Sequence, residues 1–126
     1  MQGTETILLA EDETSVLNLA AQILRDHGYQ VLTASNGLEA LQVSQEYGKP
    51  IDLLLTDVVM PHMNGRELAD QLLIHRPDTR VLYMSGYTDN VIMRQGVLGP
   101  DMAFIAKPLS LDSLTRKVRS VLDKHY

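Results

Sequence analysis

The sequence predicts an α/β domain: a doubly wound, five-stranded parallel sheet with five helices covering its two faces. Three observations carry this. Five short apolar runs (Ile7 to Ala10, Val31 to Ala34, Leu53 to Thr56, Val81 to Met84 and Ala103 to Ala106) are separated by segments of helical period. Strand and helix alternate five times, which implies crossover units and a parallel sheet. The third run, Leu53-Leu54-Leu55-Thr56, is apolar at successive positions, as expected of a strand covered on both faces.

Each helix has its own signals. Val16, Leu19, Ala20, Ile23 and Leu24 fall at i, i+3, i+4, i+7 and i+8, one face of a first helix that Gly28 ends. Asn36 caps a second helix running from Gly37 to about Tyr47, stopped by Gly48 and Pro50. Leu68, Ala69, Leu72 and Leu73 form the face of a third, closed by Pro77. Residues 89 to about 97 give a shorter fourth candidate. Ser110 caps the last helix, whose face is Leu111, Leu114, Val118, Val121 and Leu122.

The chain has 126 residues, of which 44% are hydrophobic, enough for one domain with a single core. The expected boundaries are 1–126, because no linker, repeat or charge block divides it. A net charge of −5 without clustered Lys and Arg argues against direct nucleic-acid binding. The absence of cysteine excludes disulfides and thiolate metal sites. No apolar stretch reaches about 18 residues, so no membrane contact is expected of this domain. The start, Met1-Gln2-Gly3-Thr4-Glu5-Thr6, has no signal-peptide character, so the expected location is cytoplasmic, alone or within a membrane-anchored parent.

Polar residues mark the carboxyl ends of four strands. Glu11 and Asp12 follow the first, Asp57 the third, Ser85 with Gly86 the fourth, and Lys107 with Pro108 the fifth. Each alone has a plain explanation: acids complementing a helix dipole, a strand-end cap, a turn, a surface lysine with an apolar stem. Together they coincide at one sheet edge. In a sheet ordered 2-1-3-4-5 those ends are neighbours, and ligands bind such sheets outside the carboxyl ends of the strands. At an effective dielectric of about 20, two like charges about 5 Å apart cost about 3 kcal/mol, which a divalent cation relieves. An all-oxygen donor set suits Mg²⁺. A carboxylate beside it can act as a nucleophile toward phosphorus, with metal, lysine and hydroxyl neutralising the transferring oxygens.

The chain resembles the response-regulator receiver domains of bacterial two-component signalling. The matching pieces are Ile7-Leu8-Leu9-Ala10-Glu11-Asp12-Glu13, Asp57-Val58-Val59-Met60-Pro61 with Asn64-Gly65, Met84-Ser85-Gly86 and Lys107-Pro108. The spacings also fit: 45 residues from Asp12 to Asp57, 28 from Asp57 to Ser85 and 50 from Asp57 to Lys107. The resemblance implies a flavodoxin-like, CheY-like sheet of order 2-1-3-4-5. It implies that Asp57 is the phosphoacceptor and Lys107 the phosphate-pairing lysine. Glu11, Asp12, Asp57 and the Val59 carbonyl would hold Mg²⁺, with Mn²⁺ able to substitute. Ser85 and Phe104 would be the switch pair, plain core packing in the fifth strand being the other reading of Phe104. It implies a cis peptide bond before Pro108, in a turn that leaves Lys107 in the cleft. It places Val59 and Tyr87 beside the path of a hydrolytic water.

The implied partner is a histidine kinase or histidine phosphotransfer domain, and the implied state a monomer or a weak phosphorylation-dependent dimer. Such a domain catalyses its own phosphorylation and dephosphorylation without independent turnover. The segments Ser85-Gly86-Tyr87-Thr88 and Arg94 to Pro100 are most similar to receivers of hybrid sensor histidine kinases, and Gly99-Pro100-Asp101-Met102 departs from the commonest family pattern. A stand-alone response regulator and a degenerate receiver used only for protein contacts remain alternatives. A haloacid-dehalogenase-type phosphatase needs a second Asp where Val59 stands; a flavodoxin needs a hydroxyl-rich loop where this chain carries acids; no P-loop or G-x-G-x-x-G is present. His27, His62, His75 and His125 share no metal-ligand spacing and read as surface or loop.

Overall fold

The computed structural model describes residues 4–85, 103–107 and 109–123. The strands are β1 (Thr6–Ala10), β2 (Gln30–Ala34), β3 (Leu53–Asp57), β4 (Arg80–Ser85) and β5 (Phe104–Ala106). The helices are α1 (Thr14–Asp26), α2 (Gly37–Glu46), α3 (Gly65–His75) and α4 (Leu111–Leu122). The helix expected near 89–97 falls outside the described residues, as do Gly86, Tyr87 and Pro108 with its expected cis bond. The label α4 therefore belongs to the last helix of the chain.

All pairings are parallel, and the strand order is β2-β1-β3-β4-β5. The expected sheet is thus present, with β1 and β3 side by side at its centre.

Alternation along the strands divides the core between two faces. Ile7, Leu9, Leu53, Leu55, Leu82 and Met84 pack with α1 and α4. Leu8, Ala10, Leu54 and Tyr83 pack with α2 and α3. Full burial of each large apolar side chain contributes about 1.5–3 kcal/mol. This two-sided cover is why β3 carries leucine at successive positions.

The helix ends follow their caps. Asn36 accepts from the Glu39 N–H at 2.8 Å, and Ser110 accepts from the Ser113 N–H at 3.1 Å. Gly28 lies at φ 93°, the left-handed position that closes α1. Asn64 and Glu67 form a reciprocal capping box at the start of α3.

Two apolar assignments fail. Leu19 is 48% exposed and Leu111 is 55% exposed. Leu19 lies about a quarter-turn from Ala20 round the helix, beyond the edge of the packed stripe. Leu111 is the first residue of α4, so its turn stands at the open end of the layer.

The end of the sheet opposite the acidic edge is tied by two arginines. Arg76 donates to Ser44 Oγ at 2.7 Å and to the carbonyls of Ser44, Tyr47 and Lys49 at 2.7–2.9 Å, closing the C-terminus of α2. Arg119 on α4 donates to Glu5 at 2.6 and 3.1 Å, to Asp123, and to the Tyr29 hydroxyl. Its guanidinium holds the Glu5 carboxyl down at about 2. Arg76 thus ties the end of α3 to the end of α2 within one layer, and Arg119 ties α4 to the segment that leads into β1.

Candidate functional site

β3 delivers Asp57 as its last residue, paired with Met84 on β4. Its backbone continues the strand's contacts, since the Val58 N–H donates to the Met84 carbonyl at 3.1 Å. Asp57 is 7% exposed. On β1's side, Glu11 directly follows the strand, its N–H bonded to the Ala34 carbonyl at 3.1 Å, and is 1% exposed. Asp12 follows it and is exposed. Ligand oxygens of Glu11, Asp12 and Asp57 lie within 4.8 Å of one another.

Lys107 reaches the same point from β5. Its N–H donates to the Ser85 carbonyl at 2.7 Å, fixing the turn out of the strand. Its ammonium lies 3.0 Å from Glu11 Oε2 and 3.3 Å from Asp57 Oδ2. Ser85, the last residue of β4, is buried and paired with Ala106. Phe104 is 42% exposed on the edge strand, so the alternative of plain core packing does not describe it. Val59 is 54% exposed next to the site. The structure therefore brings together Glu11, Asp12, Asp57 and Lys107, places Ser85 and Val59 on adjoining backbone, and sets Phe104 on the neighbouring edge strand.

The electrostatics follow from burial. Desolvation first, then the charge of Glu11, pushes the Asp57 carboxyl up to about 7, against the opposing pull of Lys107. For Lys107, burial acts to lower its pKa, but the close contact with Glu11 and the charges of Asp57 and Glu11 outweigh it, leaving the ammonium above its ordinary value. One ammonium thus serves two buried carboxylates and favours the nearer, Glu11. Three carboxylates against one cation leave negative charge to spare. Glu11 Oε2 is buried and, despite its ion-pair distance to Lys107, has no hydrogen bond of good geometry. A buried oxygen short of partners within an all-oxygen cluster fits a hard divalent cation such as Mg²⁺. The convergence expected from the sequence is borne out. The closer contact of Lys107 with Glu11 than with Asp57 was not anticipated.

The loop from 58 to 64 returns the chain sharply from β3 to α3. His62 has φ 68°, and the Met63 N–H donates to the Pro61 carbonyl at 2.7 Å, a three-residue turn around His62. The Gly65 N–H then donates to the Val58 carbonyl at 2.8 Å. The sequence offered Asn64-Gly65 only as part of a family motif. The Asn64-x-x-Glu67 spacing was the readable sign that a helix starts there.

The family model for the response regulator receiver domain matches residues 7–119. The chain is 36% identical over 124 residues to the sensor kinase CckA of Brucella abortus, covering 98% of this chain and 13% of that kinase. It is 33% identical over 116 residues to the response regulator receiver protein CpdR of the same organism, covering 92% of this chain and 95% of CpdR. The solved receiver domain of the hybrid histidine kinase CckA superposes with a TM-score of 0.71 at 31% identity, over 94% of this chain and 99% of that domain.

Proposed function

The chain belongs to the response regulator receiver family of two-component signalling, and from this premise we propose that Asp57 accepts a phosphoryl group in a Mg²⁺-dependent reaction. The observation that supports this most is the cluster itself: a buried strand-end carboxylate between two acids and a lysine. The donor is a phosphohistidine on a histidine kinase or histidine phosphotransfer domain. An Asp57 carboxylate oxygen attacks phosphorus, the phosphorus–nitrogen bond breaks, and the imidazole leaves with its electron pair and takes up a proton. Burial keeps the nucleophile poorly solvated, and Lys107 offers positive charge to the phosphoryl oxygens. Glu11, Asp12, Asp57 and the Val59 carbonyl would hold Mg²⁺, which supplies further positive charge at those oxygens when bound. Incubation with acetyl phosphate and Mg²⁺ tests the reading: one hydroxylamine-labile phosphoryl group per chain is expected, and none without Mg²⁺. A chain that takes up none under either condition is a degenerate receiver.

The switch reading is that Ser85 and Phe104 respond to the phosphoryl group. A hydroxyl near Asp57 gains an acceptor only after phosphorylation, which biases a two-state element. The exposure of Phe104 supports this, because an outward ring has somewhere to turn. Beryllofluoride, an acyl-phosphate mimic, is expected to shift amide signals of β5 and α4 as well as those of the site. Shifts confined to the loops around Asp57 would end the switch reading.

The lifetime of the phosphoryl group is set partly by Val59. Hydrolysis needs an in-line water, and an apolar side chain cannot orient one. Val59→Asn is expected to speed phospho-Asp57 decay about tenfold, equivalent to about 1.4 kcal/mol off the barrier. Unchanged or slower decay would show that this side chain does not control the water. Tyr87, the second position in that reading, lies outside the described residues.

The likeness to CckA supports placement within a hybrid sensor kinase, while near-complete coverage of CpdR supports a free-standing receiver. Reading the coding sequence on both sides of this segment separates them. Among the described residues no helix is long and apolar enough to cross a membrane.

A further inference from the structure

We infer that two glycine contacts, Gly65 on Asp57 and Gly37 on Met63, position the phosphoacceptor by fastening the loop 58–64 at both sides. The inference rests on the reading of Asp57 as the acceptor. Gly65 is buried at the first position of α3. A Cβ added there would run into the Asp57 carbonyl oxygen and would lie 3.1 Å from the Asp57 carbonyl carbon and 3.2 Å from Thr56 Cγ2. The backbone of the nucleophile itself is therefore the surface on which α3 begins. Gly65 is not among the residues of positive φ, so its requirement is close approach rather than backbone conformation.

On the other side, the Met63 side chain is seated against Gly37, the first residue of α2. A Cβ at Gly37 would lie 2.8 Å from Met63 Sδ and 3.0 Å from Met63 Cβ. Between these contacts lie the tight turn at His62 and the Val59 carbonyl. The loop is thus held by α2, by α3 and by its own turn, and Asp57 is held with it. A displacement near 1 Å at a reacting group can cost about a hundredfold in rate, so this packing bears on chemistry as well as stability.

Gly65→Ala is the direct test. Ala is the better helix former, so a purely helical role predicts an unchanged or more stable protein. We expect instead a folded variant with Mg²⁺ affinity reduced about tenfold or more, read from amide shifts of Glu11, Asp12 and Asp57, and with slower labelling by acetyl phosphate. Gly48→Ala is the control, because a Cβ there meets nothing within 4 Å. Wild-type Mg²⁺ affinity and labelling in folded Gly65→Ala would overturn the inference. If Gly65→Ala does not fold, Met63→Ala decides: weakened Mg²⁺ binding that Met63→Leu restores supports the inference, and unchanged binding overturns it. Wild-type protein that neither binds Mg²⁺ nor is labelled would overturn the functional reading instead.

Discussion

Asp57→Asn is expected to abolish phosphoryl uptake completely. The amide has nearly the shape of the carboxylate, so the site should keep its packing, but its oxygen is no nucleophile toward phosphorus. Glu11 is buried and turned to Lys107, while Asp12 is exposed and follows β1 rather than β3. Neither replaces a carboxylate fixed at the end of the central strand. Intact-mass measurement after acetyl phosphate and Mg²⁺ should show the adduct in the wild type and none in the variant. An adduct of equal yield in Asp57→Asn would move the acceptor elsewhere and remove the basis of the functional reading.

The same substitution should stabilise the metal-free protein, and by an amount that depends on pH. Burial, then Glu11, raises the Asp57 carboxyl from an ordinary 3.8 to about 7. The folded state therefore holds this proton more tightly than the unfolded chain. Stability from that preference is fully present below the unfolded value and is lost as pH rises through the folded one. At pH 8 the ionised Asp57 opposes folding, on the order of a few kcal/mol from a shift of this size. Asn carries no such charge and leaves Lys107 paired with Glu11 alone. The gain in urea midpoint from Asp57→Asn should be large at pH 8 and small at pH 4. Saturating Mg²⁺ at pH 8 should narrow the gap, because a cation held by the wild-type carboxylates stabilises the folded state by mass action. A gain equal at pH 4 and pH 8 would show that Asp57 is not the group under electrostatic strain.

The five strands were legible because their cues are local and repeated. An apolar run of four residues bounded by polar turns can be read without knowing its neighbours, and the observed strands differ from the runs by one residue at one end, or at both ends for β4. Asn36, Ser110 and Gly28 were legible for the same reason, since a cap acts within one turn of its own helix. Leu19 and Leu111 misled because periodicity gives a direction around a helix but not the width or length of what it packs against. The clasps of Arg76 and Arg119 were invisible because their long-range partners lie 27–32 and 90–114 residues away and carry no pattern. The switch roles of Ser85 and Phe104 and the Val59 carbonyl as a metal ligand came from family likeness, whereas Mg²⁺ itself was read from the converging carboxylates.

The sequence by itself determined that Asp57 would end a strand buried on both faces, and that Glu11, Asp12, Ser85 and Lys107 would follow other strands of the same sheet. Alternation and strand length are enough for that, because a parallel sheet aligns all its carboxyl ends at one edge. Only the tertiary structure decided how the charges share that edge. Burial of Glu11 to 1% exposure, its 3.0 Å contact with Lys107 and the upward shift of Asp57 depend on how deeply each carboxylate sits and which ammonium reaches it. Those are distances across four strands, and Coulomb energy and desolvation act through space rather than along the chain.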